Sequence, residues 1–159
     1  MDTPPTAAVN SVLAADTYGK SRVRLMKLAR RAGRHDLKEI TLEILFQGDF
    51  ASCYEEGDNS QVLPTDTIKN TVYVLARKHE IIAIEEFAQR LIEHFLKNNP
   101  QVSEVRVAVT EHIWSRITST AFTRESGKRT AVVTGTRDGV AVDAGIDDLL
   151  ILRSAGSVF

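Results

Sequence analysis

Cysteine is nearly absent: Cys53 is the only one in 159 residues. An intrachain disulfide and a cysteine-rich zinc site are therefore excluded, and a reduced, cytoplasmic setting is the expectation. Proline occurs four times, and each copy lies outside the periodic segments. No stretch approaches the roughly 18 apolar residues of a membrane-spanning helix, so no membrane partner is expected. Residues 1–16 carry Asp2, Pro4 and Pro5 in place of a basic segment followed by an apolar one, which excludes a secretory signal there. Charge of one sign is lacking too. Lys plus Arg number 20 and Asp plus Glu 21, giving a net charge of −1. That balance gives no overall pull toward nucleic acid or anionic lipid. No glycine-rich phosphate loop is present, nor a local Ser-His-Asp motif. His35, His79, His94 and His112 lack metal-ligand spacing, so no metal is expected and each reads as a packing or surface residue.

What remains is the composition of an ordinary soluble domain, 43% hydrophobic and 26% charged, long enough for a real core. Residues 1–17 are small and polar and read as a flexible tail. From Lys20 the run KSRVRLMKL leans toward β with imperfect alternation, and Gly33 suits a turn. Ile40, Leu42, Ile44 and Phe46 then alternate with Glu39, Thr41 and Glu43, a strand with one buried face. Residues 48–64 read as a loop. A helix starts near Thr65-Asp66, either of which can cap it, with Ile68, Val72 and Leu75 on one stripe. A second helix carries Ile84, Phe87, Ala88, Leu91, Ile92, Phe95 and Leu96, and Asn98-Asn99-Pro100 stops it. Val105, Val107 and Val109 begin another strand. Residues 122–133 and 140–146 flank an Asp138-Gly139 turn. The order β-β-α-α-β-β predicts an α+β fold, one antiparallel sheet with both helices on one face. Residues 149–152 read as an apolar strand-like run whose pairing is unfinished, which implies a partner segment or chain.

Two constellations stand out. Lys20, Arg22, Arg24, Lys27, Arg30, Arg31, Arg34 and Lys38 form a basic hairpin, either an anion or nucleic-acid surface or simply a solvated face. No interleaved aromatics accompany it, which weakens a nucleic-acid platform. The segment Leu63-Pro64-Thr65-Asp66-Thr67 leads a proline into hydroxyls and a carboxylate at a helix N-terminus. That is either ordinary capping or an anion-favouring site.

Tyr18-Gly19-Lys20-Ser21-Arg22-Val23-Arg24 and Leu63-Pro64-Thr65-Asp66-Thr67-Ile68-Lys69-Asn70-Thr71 resemble the urate oxidases (uricases). So do Ile84-Glu85-Glu86-Phe87, Gly127-Lys128-Arg129-Thr130 and the tail from Asp148 to Phe159. The resemblance implies a tunnelling fold (T-fold), with a first domain over 18–136 and the opening strands of a second over 139–159. It implies an oxidoreductase of purine degradation that converts urate, O2 and water to 5-hydroxyisourate and hydrogen peroxide without a cofactor. It also implies a homotetramer with sites at subunit interfaces, completed by a C-terminal half. Lys20 and Thr65 fall at the family's catalytic positions. A threonine hydroxyl is a poor acid or base alone, and a lysine kept partly neutral by desolvation or neighbouring cations relays its proton. Arg22 and Arg24 would assist if a regular strand put them on the Lys20 face. Thr65, Asp66 through its backbone N–H, and Phe159 by stacking correspond to the family's substrate-binding residues. The family's remaining substrate and oxygen contacts lie beyond Phe159. Other readings are a different tunnelling-fold enzyme of purines or pterins, and a non-catalytic nucleic-acid-binding module.

Overall fold

The structure is a computed structural model, and it describes residues 13–156. Phe159 and residues 1–12 lie outside the described residues. The elements run β1 (Tyr18–Arg31), β2 (Arg34–Gly48), α1 (Ala51–Glu55), α2 (Thr65–Lys78), α3 (Ile84–Asn98), β3 (Val102–Arg116), β4 (Phe122–Gly135) and β5 (Val140–Asp147). The five strands form one antiparallel sheet in sequence order.

Each connection has a local cause. Gly33 takes φ +80° at the β1–β2 turn, a conformation that costs glycine little. Thr136 N–H donates to the Gly139 carbonyl at 2.9 Å and closes the β4–β5 turn around Asp138-Gly139. Between β2 and β3 the helix pair crosses one face of the sheet. α3 lies over β3 and β4, and α2 lies against β1. The apolar stripe of α3, Ile84, Phe87, Ala88, Leu91, Ile92, Phe95 and Leu96, is wholly buried. It meets Ile40, Leu42, Ile44, Phe46, Val105, Val107 and Val109 from the sheet, all buried as well. Each large side chain of this kind contributes about 1.5–3 kcal/mol on burial. Phe46 and Phe95 meet edge to face with centroids 4.9 Å apart, which joins sheet to helix at the centre of the core. Lys27 donates from Nζ to the carbonyls of Ala76 and His79, both at 2.7 Å. A cation there satisfies the C-terminal end of α2 and ties it to β1.

Two local expectations change. The 48–64 segment contains the short helix α1, whose Cys53 N–H bonds the Phe50 carbonyl at 3.0 Å. Its loop-like composition hid a turn anchored by buried Phe50. Residues 149–152 form no strand. Asp148 turns the backbone to φ 53° just after β5, and among the described residues no strand lies beyond β5 to pair with them. These four residues are strongly exposed, Leu152 at 93%. β5 is exposed along its whole length although it pairs with β4.

Candidate active site

The start of β1 is held tightly. Tyr18, Gly19 and Lys20 pair with Phe46, Leu45 and Ile44 of β2. A Cβ on Gly19 would meet the Ile44 carbonyl oxygen at 1.9 Å, so only glycine allows this approach. The register then shifts between Lys20 and Val23, and Arg22 sits at φ 57°. This bulge reverses the facing of the strand. Lys20, opposite buried Ile44, projects on the helix side, whereas Arg24, opposite Thr41, projects on the other. The regular alternation that would have grouped Lys20 with Arg24 is therefore broken, and Arg24 reaches Glu39 at 3.0 Å instead.

Thr65 and Asp66 open α2, but neither caps it. Pro64, at φ −56° and ψ 135°, is the cap residue. Its carbonyl accepts the N–H groups of Thr67 at 2.9 Å and Ile68 at 3.2 Å. Because Pro64 already holds the extended backbone that a cap requires, Thr65 and Asp66 fall inside the first turn. Their N–H groups have no acceptor among the described residues, which leaves donors and the positive end of the helix dipole facing out. The Asp66 carboxylate accepts from Lys69 Nζ at 2.8 Å. That hydrogen bond and the Lys69 charge hold it below the ordinary range, and the Lys20 charge adds a smaller pull. Lys20 thus acts electrostatically on the first turn of α2 from across the gap.

The two segments meet through Tyr18. Its phenol oxygen accepts the Leu63 N–H at 2.7 Å, two residues before Thr65 and two before Lys20 on its own strand. The structure so brings Lys20, Thr65 and Asp66 to one end of the helix side of the sheet. An open depression of ≈ 320 Å³ between α2 and α3, lined by Thr67, Asn70, Thr71 and His94, excludes Lys20 and Thr65. Nothing local in the sequence signals the Tyr18–Leu63 bond, because a tyrosine opening a strand reads as core. Gly19 inside a strand was the available signal of a close backbone approach.

The opposite face carries a second polar group that no motif announced. Glu39, 2% exposed, is the one buried charged residue in the described core. It accepts from Arg24 Nη2 at 3.0 Å and from Trp114 Nε1 at 2.9 Å. Burial pushes its carboxyl up, but these hydrogen bonds together with the His112 and Arg124 charges outweigh it and leave the group lowered. His112 Nε2 lies 2.9 Å from the Thr41 hydroxyl, and its ring is pushed down first by burial and then by Arg124.

The basic hairpin is neutralised in part, four of its eight cations pairing with carboxylates, the first being Arg24 with Glu39. Arg31 pairs with Asp36 and Glu80, Arg34 with Asp36, and Lys38 with Glu111. Among the described residues no group of three His, Cys, Asp or Glu side chains could hold a metal ion, and no helix is long and apolar enough to cross a membrane.

A five-stranded antiparallel sheet with a helix pair on one face, inserted between its second and third strands, defines a tunnelling-fold protein. A family profile described as Uricase matches residues 16–140, and the chain belongs to the uricase family. It is 39% identical over 151 residues to the uricase of Arthrobacter globiformis, covering 93% of this chain and 50% of that protein. With the Dictyostelium discoideum uricase it shares 36% identity over 159 residues, covering 94% of this chain and 55% of the relative. The crystal structure of the Arthrobacter globiformis uricase superposes with a TM-score of 0.84 at 34% identity, covering 95% of this chain and 57% of that one. The chain spans about half the length of the curated relatives it matches.

Proposed function

We propose that this chain forms part of a urate oxidase, an oxidoreductase converting urate, O2 and water to 5-hydroxyisourate and hydrogen peroxide in the cytoplasm without an added cofactor. Membership of the uricase family carries the reading. The local geometry supports it: Lys20 stands on the helix side of the sheet beside the Thr65-Asp66 turn, whose N–H groups are free to receive an anion. In this reading the Thr65 hydroxyl takes a proton from urate as the Lys20 amine takes the hydroxyl proton. That proton passes to O2 as O2 accepts two electrons from the purine. The restored pair then deprotonates the water that adds to the oxidised ring, its proton completing the hydrogen peroxide. The Asp66 N–H binds the purine. Phe159 stacks on it, a contact worth about 1–3 kcal/mol on the scale of base–aromatic stacking.

The chain corresponds in this proposal to an N-terminal half, with a first domain over 18–136 and a second beginning at 139. The C-terminal half, in the same or a separate chain, supplies the remaining substrate and oxygen contacts. Four complete subunits assemble around a tunnel, with each site at a subunit interface. The exposed apolar side chains of Val140, Val142, Ile146 and residues 149–152 favour such an assembly, because apolar surface of this extent is rarely left in water. Ion pairs occupy four of the eight cations of the basic hairpin, which weakens a nucleic-acid-binding reading.

The test is the reaction itself. The assembly containing the remainder of the protein is given urate in aerated buffer with no cofactor. Urate loss matched by O2 uptake and peroxide release is expected. An assembly that leaves urate untouched contradicts the proposal.

A further inference from the structure

Tyr18 is built into the fold as a rigid bracket. Its ring stands edge-on to Phe46, with centroids 5.7 Å apart, and to Phe50, at 4.7 Å. Both of those rings are fully buried, so the tyrosine body is fixed by the core while its oxygen reaches outward. The strand beneath it is equally fixed, because Gly19 lies against the Ile44 carbonyl too closely for any side chain. What the oxygen holds is only partly fixed by burial: Val62 and Leu63 are half-buried against the core, while Pro64, Thr65 and Asp66 beyond them are exposed. Residues 54–61 are exposed, and the nearest other hydrogen bonds on this loop are the Gln101 side chain on the Gln61 carbonyl at 2.9 Å and Val62 N–H on the Asn59 carbonyl at 3.1 Å. After Leu63 comes Pro64, whose ring restricts φ and whose carbonyl carries the first two bonds of α2. Pro64 locks its own φ and restricts Leu63 to extended backbone, so the stretch from Leu63 to Thr65 is stiff and a shift at Leu63 is passed on in large part to Thr65.

We infer that Tyr18 is a positioning residue for the Lys20–Thr65 pair: the Leu63 N–H held on its phenol oxygen sets where the first turn of α2 stands relative to the start of β1. Tyr18 acts through these two segments and needs no contact with substrate. Burial raises the phenol pKa, with the Leu63 hydrogen bond opposing in part, so the oxygen serves as a neutral acceptor throughout the ordinary pH range. This role rests on the urate-oxidation proposal, since it is the proton relay that makes the separation matter.

Tyr18→Phe separates the two functions of the side chain, keeping both aromatic contacts and removing only the acceptor. Two measurements on the whole assembly read the result. By hydrogen-exchange mass spectrometry, peptides covering 61–67 should exchange faster in the variant while β1 and β2 peptides stay unchanged. In urate turnover, Tyr18→Phe should lower kcat by about 10- to 100-fold, the scale of a misplacement near 1 Å. In a Thr65→Ala background the same change should alter kcat by less than about 2-fold, because no pair is left to position. Unchanged exchange at 61–67 overturns the tether. Faster exchange with unchanged turnover, or a Tyr18→Phe loss that multiplies with Thr65→Ala, overturns the positioning role and leaves the tyrosine purely structural. A wild-type assembly inert toward urate overturns the oxidase proposal and the positioning role with it, while the exchange result still judges the tether separately.

Discussion

Lys20 and Arg24 project from opposite faces of β1, because the register slips between Lys20 and Val23 and Arg22 lies at φ 57°. One bulge thereby assigns two neighbouring cations to different tasks. Lys20 stands with the first turn of α2, and Arg24 anchors buried Glu39.

Substitution at Arg22 tests whether the bulge sets that division. A β-branched residue tolerates the left-handed region poorly, at a cost of about 1–2 kcal/mol. Arg22→Val should therefore lower the midpoint of denaturant unfolding and also reduce urate turnover by the assembly. Arg22→Gly keeps the conformation and should retain both. Equal behaviour of the two variants contradicts a backbone role at this position.

Gly19→Ala tests the close approach one residue earlier. Its Cβ would sit 1.9 Å from the Ile44 carbonyl oxygen, and backbone cannot yield as a side-chain tip can. The β1–β2 ladder must shift at Tyr18 and Lys20. A loss of about 1–3 kcal/mol in unfolding free energy is expected, the range of core overpacking. Wild-type stability in this variant would mean that the first rungs of the ladder are looser than described.

The Glu39 group predicts the sign of an acid response. Although burial raises this carboxyl, Arg24, Trp114 and the nearby positive charges leave it below its ordinary value. The folded state thus binds the proton less tightly than the unfolded chain. The stabilisation is present above the ordinary carboxylate range and is lost as the pH falls through the lowered folded value. Glu39→Gln should cost about 1–3 kcal/mol at neutral pH, the scale for losing charge-assisted hydrogen bonds. Melting temperatures of wild type and variant should converge as the pH falls below the carboxylate range. A gap that is constant with pH contradicts the assignment.

Much of the fold was legible because hydrophobic period and burial agree. The alternation from Ile40 to Phe46 and the stripe from Ile84 to Leu96 each face the core that their spacing predicts. The bulge was visible only as imperfect alternation in KSRVRLMKL, since nothing local states where a strand gains a residue. Thr65 and Asp66 were legible as a helix start but not as non-capping residues, because that depends on the extended backbone of Pro64. Glu39 was concealed by its own strand. It occupies a polar position of a one-sided pattern, and only the packing of Arg24 and Trp114 above it makes that position dry. The Tyr18–Leu63 bond joins residues 45 apart, a separation across which local pattern carries no information.

The central claim is that Lys20 and Thr65 form one proton relay. Its most direct test is a double-mutant cycle in the complete assembly, with urate turnover measured for Lys20→Met, Thr65→Ala and the combined variant. Each single change should lower turnover by about 10²-fold or more, and the double variant should be little worse than either. Fully multiplicative losses would show two residues acting independently and would contradict the relay.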